Sequence, residues 1–238
     1  MRVLSFSETG LVRKNNEDAL LVLSSYGMFA VADGMGGHQA GEVASGTAMS
    51  ELRKLVPELD EITNDELESW LIEAIAQTNR VVYESATLHT ENQGMGTTLT
   101  MLVIRQDQVF ITHVGDSRAY LWRDGKLIRL TTDHSLTEEL VRIGQITVEE
   151  AINHPQRNVL MRALGTSEHV NIDYRMCDLK LGDVFLLCTD GFSNLLSDEE
   201  LTEKLRQPQS WEARFEGFKR LILERGAPDN FTALCCIM

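Results

Sequence analysis

The chain has 238 residues, 43% of them hydrophobic and 24% charged, with a net charge of −14. That length suits one domain with a sizeable core, and the composition is that of a globular chain rather than a disordered or fibrous one. The acidic balance excludes phosphate-rich partners such as nucleic acid, because no basic run gathers to outweigh it.

The first residues, MRVLSFSETG, contain no long apolar stretch, and no later run approaches the roughly 18 apolar residues of a membrane span. The expectation is a cytoplasmic protein with no membrane insertion. Strands are expected at MRVLSFSE, DALLVLSS and MFAVAD, followed by helical periodicity over 40–56 and 64–87. A second bunch of strands follows in TTLTMLVIR, QVFITHVG, RAYLWR and KLIRLT. Between the last two, Asp124-Gly125 marks a hairpin, since Asp-Gly accepts the positive φ angles of the favoured two-residue turn. Helical spacing returns at about 133–144; strands NIDYRMCDL and DVFLLCTD come next, then a helix at about 209–225 and a closing strand TALCCIM. In that last helix Trp211, Phe215, Phe218 and Ile222 repeat at helical spacing and read as core.

Strands that follow strands, with helices bunched between them, argue for antiparallel sheets covered by helices rather than an alternating parallel fold. There is no repeat, low-complexity tract or linker, so residues 1–238 read as a single α+β domain. The four cysteines, Cys177, Cys188, Cys235 and Cys236, lie in apolar strand runs without metal-ligand spacing and read as reduced, buried thiols. His113, inside an apolar strand, reads as a hydrogen-bonded core residue. Near His134, Asp133 or Ser135 offers an oxygen to cap the following helix.

Three apolar strands end in a carboxylate beside glycine: Asp33 before Gly34, Asp116 after Gly115, and Asp190 before Gly191. Asp229 stands just before the final strand. Each alone is a turn residue. Together, at the ends of neighbouring buried strands, they would repel one another and lose hydration. A divalent cation relieves both penalties. Oxygen-only donors favour Mg²⁺ or Mn²⁺, and two such ions together can activate a water as nucleophile.

The stretch VADGMGGHQAGEVAS carries four glycines between Gly34 and Gly41 but is not a nucleotide loop. Glu42 stands where a phosphate loop would carry lysine, and Gln39 occupies the third glycine's place in the dinucleotide pattern. Gly34 instead lets the backbone come near an ion held by Asp33. Arg13, five residues before Asp18, offers the planar fork that binds phosphate in two places, although an arginine there also reads as plain surface charge.

TGLVRKNNEDAL, VADGMGGHQAGEVAS, GMGTTLT, THVGDSRAYL, LTTDHSL, LCTDGFSN and PDNFTAL resemble, in order and across nearly the whole chain, the motif series of the metal-dependent type 2C protein phosphatases. DGMGGH with the following GE is similar to the family's bacterial branch. The resemblance implies two packed antiparallel β-sheets flanked by helix pairs, an α-β-β-α sandwich, with a dinuclear Mn²⁺ or Mg²⁺ centre at one edge. It implies a protein serine/threonine phosphatase that hydrolyses phosphoserine and phosphothreonine by direct attack of a metal-bridging hydroxide. Asp33 would bridge both metals, the Gly34 carbonyl would bind one, and Asp190 and Asp229 would complete the second metal's shell. Glu17 and Asp18 would act through metal-bound water, Arg13 would bind the substrate phosphate, and Asp116 with Asp190 matches a third metal position. Residues 142–165 fall where the family places a flap. The implied partners are phosphorylated proteins and a cognate Ser/Thr kinase, and no pattern asks for a second copy, so a monomer is expected.

One position departs from many family members. Met35 replaces a histidine proposed as general acid and cannot donate a proton. His38, as a substrate contact, and a water near Asp116 are the two alternatives for that role. A non-catalytic, metal-binding regulatory module of the same fold is the rival reading, against which stand the retained Arg13, Asp33, Asp190 and Asp229. An aspartyl-phosphate phosphatase is disfavoured because neither VADGM nor CTDGF carries the second aspartate of a D-x-D pair.

Overall fold

The computed structural model describes residues 1–37 and 40–238. One sheet is built from β1 (Arg2–Glu8), β11 (Phe231–Ile237), β10 (Val184–Cys188), β7 (Arg118–Arg123) and β8 (Lys126–Arg129), in that spatial order. The other runs β2 (Asp18–Leu23), β3 (Met28–Met35), β5 (Leu99–Arg105), β6 (Gln108–Val114) and β9 (Asp173–Asp178), with the two-residue β4 (Gly96–Thr97) added to the end of β3. All neighbours are antiparallel. Helices α1 (Ala40–Leu55) and α2 (Asn64–Leu88) cover the second sheet, while α6 (Asp198–Arg206) and α7 (Trp211–Glu224) cover the first.

The strands carry near-continuous apolar runs because both of their faces are buried. In β3, Phe29 and Val31 point between the sheets while Met28, Ala30 and Ala32 face the α1/α2 layer. In β10, Phe185 and Leu187 point between the sheets while Val184, Leu186 and Cys188 face the other helix layer. The vicinal Cys235 and Cys236 divide the same way, and all four cysteines are free thiols. This period of two, repeated strand by strand, produces three apolar layers and four layers of structure. The expected α-β-β-α sandwich is what the chain forms.

Local chemistry fixes the element ends. Asp124 and Gly125 adopt φ of 51° and 74°, closing β7 onto β8 with Arg123 opposite Lys126. Thr63 with Glu66 makes a capping box at the start of α2. The helix expected at about 133–144 is shorter, α3 (Leu136–Arg142), because Ser135 serves as its N-cap and accepts from the Glu138 amide at 3.2 Å. Ahead of that cap, Asp133 receives Arg118 and Arg129. The Trp211, Phe215, Phe218 and Ile222 stripe is indeed core.

Three short helices escape the apolar-periodicity reading: α4 (Val148–Ile152), α5 (Asp190–Ser193) and α6. In α6 only Leu201 and Leu205 are buried, too few to make a stripe. Its start was nevertheless signalled by Ser197 and Glu200, which form a capping box. Within residues 142–165, α4 is followed by a limb that turns back across the molecule: Leu160 bridges Ser135, and Leu164 bridges Thr97.

If the layer between the sheets carries the stability, Phe185→Ala, at a fully buried position, should destabilise the protein by about 3–5 kcal/mol. Leu181→Ala, at a position 98% exposed, should stay within about 0.5 kcal/mol. Urea unfolding of the two variants checks the difference, and similar midpoints would contradict the layer assignment.

Candidate metal and phosphate site

The carboxylates expected at strand ends meet at one edge of the sandwich. Asp18, the first residue of β2, lies directly opposite Asp33 in β3. Asp190 opens α5 immediately after β10, Asp116 lies in the turn from β6 to β7, and Asp229 comes just before β11. Adjacent, alternately directed strands from both sheets thus end their apolar runs in acid at the same rim.

Close backbone packing holds these turns. A Cβ on Gly34 would stand 2.0 Å from the Gly41 carbonyl oxygen, so glycine there lets β3 lie against the first turn of α1. Gly191 is equally confined: its Cβ would stand 1.9 Å from the Asn230 carbonyl oxygen. The side chain of Asn230 then stitches the acidic loop. Its amide nitrogen donates to the carbonyls of Thr9 and Asn15, each at 2.9 Å, and its Oδ1 accepts from the Glu17 amide at 2.8 Å. Asp33 is held through its backbone. Its amide donates to Thr98 Oγ1 at 2.9 Å, and its carbonyl accepts from the Thr98 amide and from Thr97 Oγ1, both at 2.9 Å. Beneath it, Thr98 Oγ1 and Ser117 Oγ are hydrogen-bonded at 2.7 Å. Asn230, Thr98 and Ser117 carry no charge or spacing that sequence reasoning could use to single them out.

The electrostatics are those of crowded, dehydrated acids. Burial, then the charges of Asp18 and Asp190, pushes Asp33 well above the usual carboxylate range. Burial likewise raises Asp18 to about 7, although Thr232 and Thr189 hydrogen bonds pull the other way. Asp116 is raised to about 8 by burial and the Asp190 charge, and Asp190 and Glu17 move up chiefly through burial. Asp18 Oδ2 accepts from Thr189 Oγ1 at 2.8 Å, but its Oδ1 is buried with no hydrogen-bond partner. A buried carboxylate oxygen without a donor is costly.

Arg13 forms a two-point ion pair with Asp229, Nη2 to Oδ2 and Nε to Oδ1 both at 2.9 Å. The sequence-expected phosphate fork therefore sits at the acidic rim, about half exposed, engaged with an expected metal ligand. His38, the tentative substrate contact, lies outside the described residues. His113 is a core residue as expected, with Nδ1 2.9 Å from Thr100 Oγ1 and Nε2 3.0 Å from the Thr132 carbonyl.

The donor set fits hard cations. It is oxygen-only, it gathers negative charge that burial disfavours, and it leaves a carboxylate oxygen unpartnered. Among the described residues, no three ligating side chains already stand as a closed coordination group. The carboxylates instead lie within mutual electrostatic reach, which a bound cation would tighten.

A family model for protein phosphatase 2C matches residues 12–228. The serine/threonine phosphatase stp of Listeria monocytogenes is 38% identical over 232 residues, covering 96% of this chain and 92% of that protein. The structure of the phosphatase Stp1 from Staphylococcus aureus superposes with a TM-score of 0.93 at 34% identity, covering 99% of this chain and 94% of that one. The catalytic domain of the phosphatase PstP in complex with two manganese ions superposes with a TM-score of 0.86 at 37% identity, covering 98% and 96% of the two chains. With its sandwich, its rim of partly buried aspartates and this match over most of its length, the chain belongs to the protein phosphatase 2C family.

Proposed function

We propose that the chain is a metal-dependent protein serine/threonine phosphatase in which residues 1–238 form one catalytic domain. The observation that carries this reading is the convergence of Asp18, Asp33, Asp116 and Asp190, each raised by burial and most by one another, at one rim beside the Arg13–Asp229 pair. Asp33, Asp190 and Asp229, with the Gly34 carbonyl, are the residues for two Mn²⁺ or Mg²⁺ ions, with Glu17 and Asp18 acting through water and Asp116 toward a third. When bound, such ions supply Lewis acidity and lower the pKa of a water to make it a nucleophile near neutral pH.

The protein's own groups supply position and charge. The main chain of Asp33 is fixed through Thr97 and Thr98, which holds the root of its side chain at the rim before any ligand arrives. Asp229 would help hold a cation, and Arg13, now paired with it, would then offer its planar fork to a dianionic phosphate. Met35 is not a proton donor, and the leaving serine or threonine oxygen takes its proton from His38 or from a water near Asp116. The substrates are phosphorylated proteins, and the activity opposes a cognate Ser/Thr kinase. The reading is of a monomer acting in the cytoplasm; no helix among the described residues is long and apolar enough to cross a membrane.

Phosphate release from a phosphothreonine peptide tests the reading. Turnover should require Mn²⁺, stop in EDTA, and fall by at least about a thousandfold in Asp33→Ala and Asp190→Ala. Activity that survives EDTA would overturn the mechanism, and absence of turnover with Mn²⁺ bound would favour the regulatory-module reading. Arg13→Ala should raise KM about tenfold to a hundredfold, with Arg13→Lys recovering only part of the loss.

The raised carboxylates also set a pH dependence. Asp18 and Asp116 titrate at about 7 and about 8 in the folded chain, against roughly 3.9 when unfolded. Between those limits the metal-free folded state holds more protons than the unfolded one, so its stability is present at the acid end and falls as pH rises. In EDTA, Tm should therefore drop between about pH 5 and about pH 8. Asp116→Asn should flatten that slope, and Mn²⁺ should raise Tm more at the higher pH. A Tm that climbs with pH in EDTA would show that the acids are not buried as a group.

A further inference from the structure

The residues that lie between the 142–165 excursion and the acidic rim converge on one side chain, His134, 7% exposed. Its backbone amide donates to the Gly115 carbonyl at 2.7 Å, and the Gly115 amide donates back to its Nδ1 at 3.1 Å. Gly115 immediately precedes Asp116. On the other side, the His134 carbonyl accepts from the Met161 amide at 2.7 Å, within the limb that returns from the excursion. Because Nδ1 is an acceptor, the neutral ring carries its proton on Nε2, which lies 3.2 Å from Asp173 Oδ2 on β9. Arg162, the next residue of the returning limb, donates from Nη1 to the second oxygen of Asp173 at 2.9 Å. Its Nη1 stands 3.2 Å from His134 Nε2, so two donors meet on one carboxylate.

The same limb is tied a second time. Leu164 and Thr97 exchange backbone hydrogen bonds at 2.8 and 3.0 Å, and Thr97 Oγ1 donates to the carbonyl of Asp33. The returning limb is therefore hydrogen-bonded, through one intermediate residue in each case, to two segments that bear site carboxylates: β3 with Asp33, and the turn before Asp116. The His134 connection runs through a ring whose two nitrogens face in opposite directions, one to the Asp116 turn and one to the base of the excursion.

We propose that His134 is a positioning residue that couples the base of the 142–165 excursion to the Asp116 turn. Its Nδ1 sets the Gly115 amide and with it the place of Asp116, while Asp173, Arg162 and Met161 hold the ring and main chain from the excursion side. Loosening the excursion at its base frees the ring and then the turn; a firmly seated base keeps Asp116 aimed at the rim. The role of Asp116 in this account rests on the phosphatase reading, but the mechanical coupling does not.

Hydrogen exchange on the intact chain separates the two. Arg162→Met and Asp173→Leu alter partly exposed side chains that are not among the site carboxylates. Each should speed exchange at the Met161 and Gly115 amides together, by about tenfold for a loss near one hydrogen bond's worth of local stability. Amides of Leu102 and Leu187, in the layer between the sheets, should keep wild-type rates. Asp173→Asn, which retains an acceptor for the ring, should stay near wild type. With Mn²⁺ and a phosphothreonine peptide, the two disruptive variants should lower kcat several-fold and leave KM unchanged, the signature of a misplaced group rather than lost substrate contact. Faster exchange at Met161 with Gly115 unmoved would overturn the coupling, as would equal loss of protection at Leu102 and Leu187. An inactive wild-type chain that still showed linked exchange would instead overturn the phosphatase reading alone.

Discussion

The constraint on which the rest of the molecule depends is the burial of like charges at the edge of a two-sheet sandwich. Apolar strands drive the sheets together; Asp18 begins β2, Asp33 lies near the end of β3 and Asp190 opens α5 just after β10, with Asp116 and Asp229 on connecting turns. Hydrophobic packing forces these acids into proximity that their charges oppose. The fold can hold that arrangement because the opposing term is concentrated in a few groups while apolar burial is spread over three layers. The acids consequently protonate or take up cations, and both outcomes are set by the same geometry.

Neutral side chains supply the precision around this charged rim. Asn230 spends both ends of its amide on the loop that carries Arg13 and Glu17. Thr189 accepts from the Thr232 amide and donates to Asp18, joining β10, β11 and β2 at a single hydroxyl. Thr98, Ser117 and Thr100 form a hydroxyl row beneath Asp33 and end on His113. A row of this kind can satisfy backbone donors without adding charge, which an aspartate-rich neighbourhood requires. It fixes the main chain that carries Asp33 without adding charge to the rim.

Much of this was legible in the sequence, and the divide has a physical basis. Strands buried on both faces announce themselves as apolar runs, so MFAVAD and DVFLLCTD located β3 and β10 and the aspartates that end them. Asp-Gly at 124–125 fixed a hairpin because its backbone requirement is local. The helix over 198–206 was not visible in apolar spacing, since its two buried leucines rely on a partner surface to complete the core. Asn230, Thr189 and His134 were equally silent about their tasks. Their roles depend on residues distant along the chain, as in the contact between Thr189 and Asp18. A side chain whose function is to accept or donate one hydrogen bond leaves no periodicity, charge or spacing to find.

The net charge of −14 appears at odds with a phosphate-bearing substrate, yet it acts on a different length scale from the site. At physiological salt the screening length is about 8 Å, so charges scattered over the surface contribute little at the rim. On the proposed reading, what a phosphate would meet there is set by its immediate neighbours: the acids, any cations they hold and the guanidinium of Arg13. Without cations those neighbours are mutually repelling carboxylates and an arginine already engaged with Asp229. Cations held at the same carboxylates would reverse the local sign and free the guanidinium of its partner, so on the proposed reading a single binding event would change both charge and geometry. On that reading, affinity for phosphate at this rim would therefore be a property of the loaded site and not of the chain's overall charge.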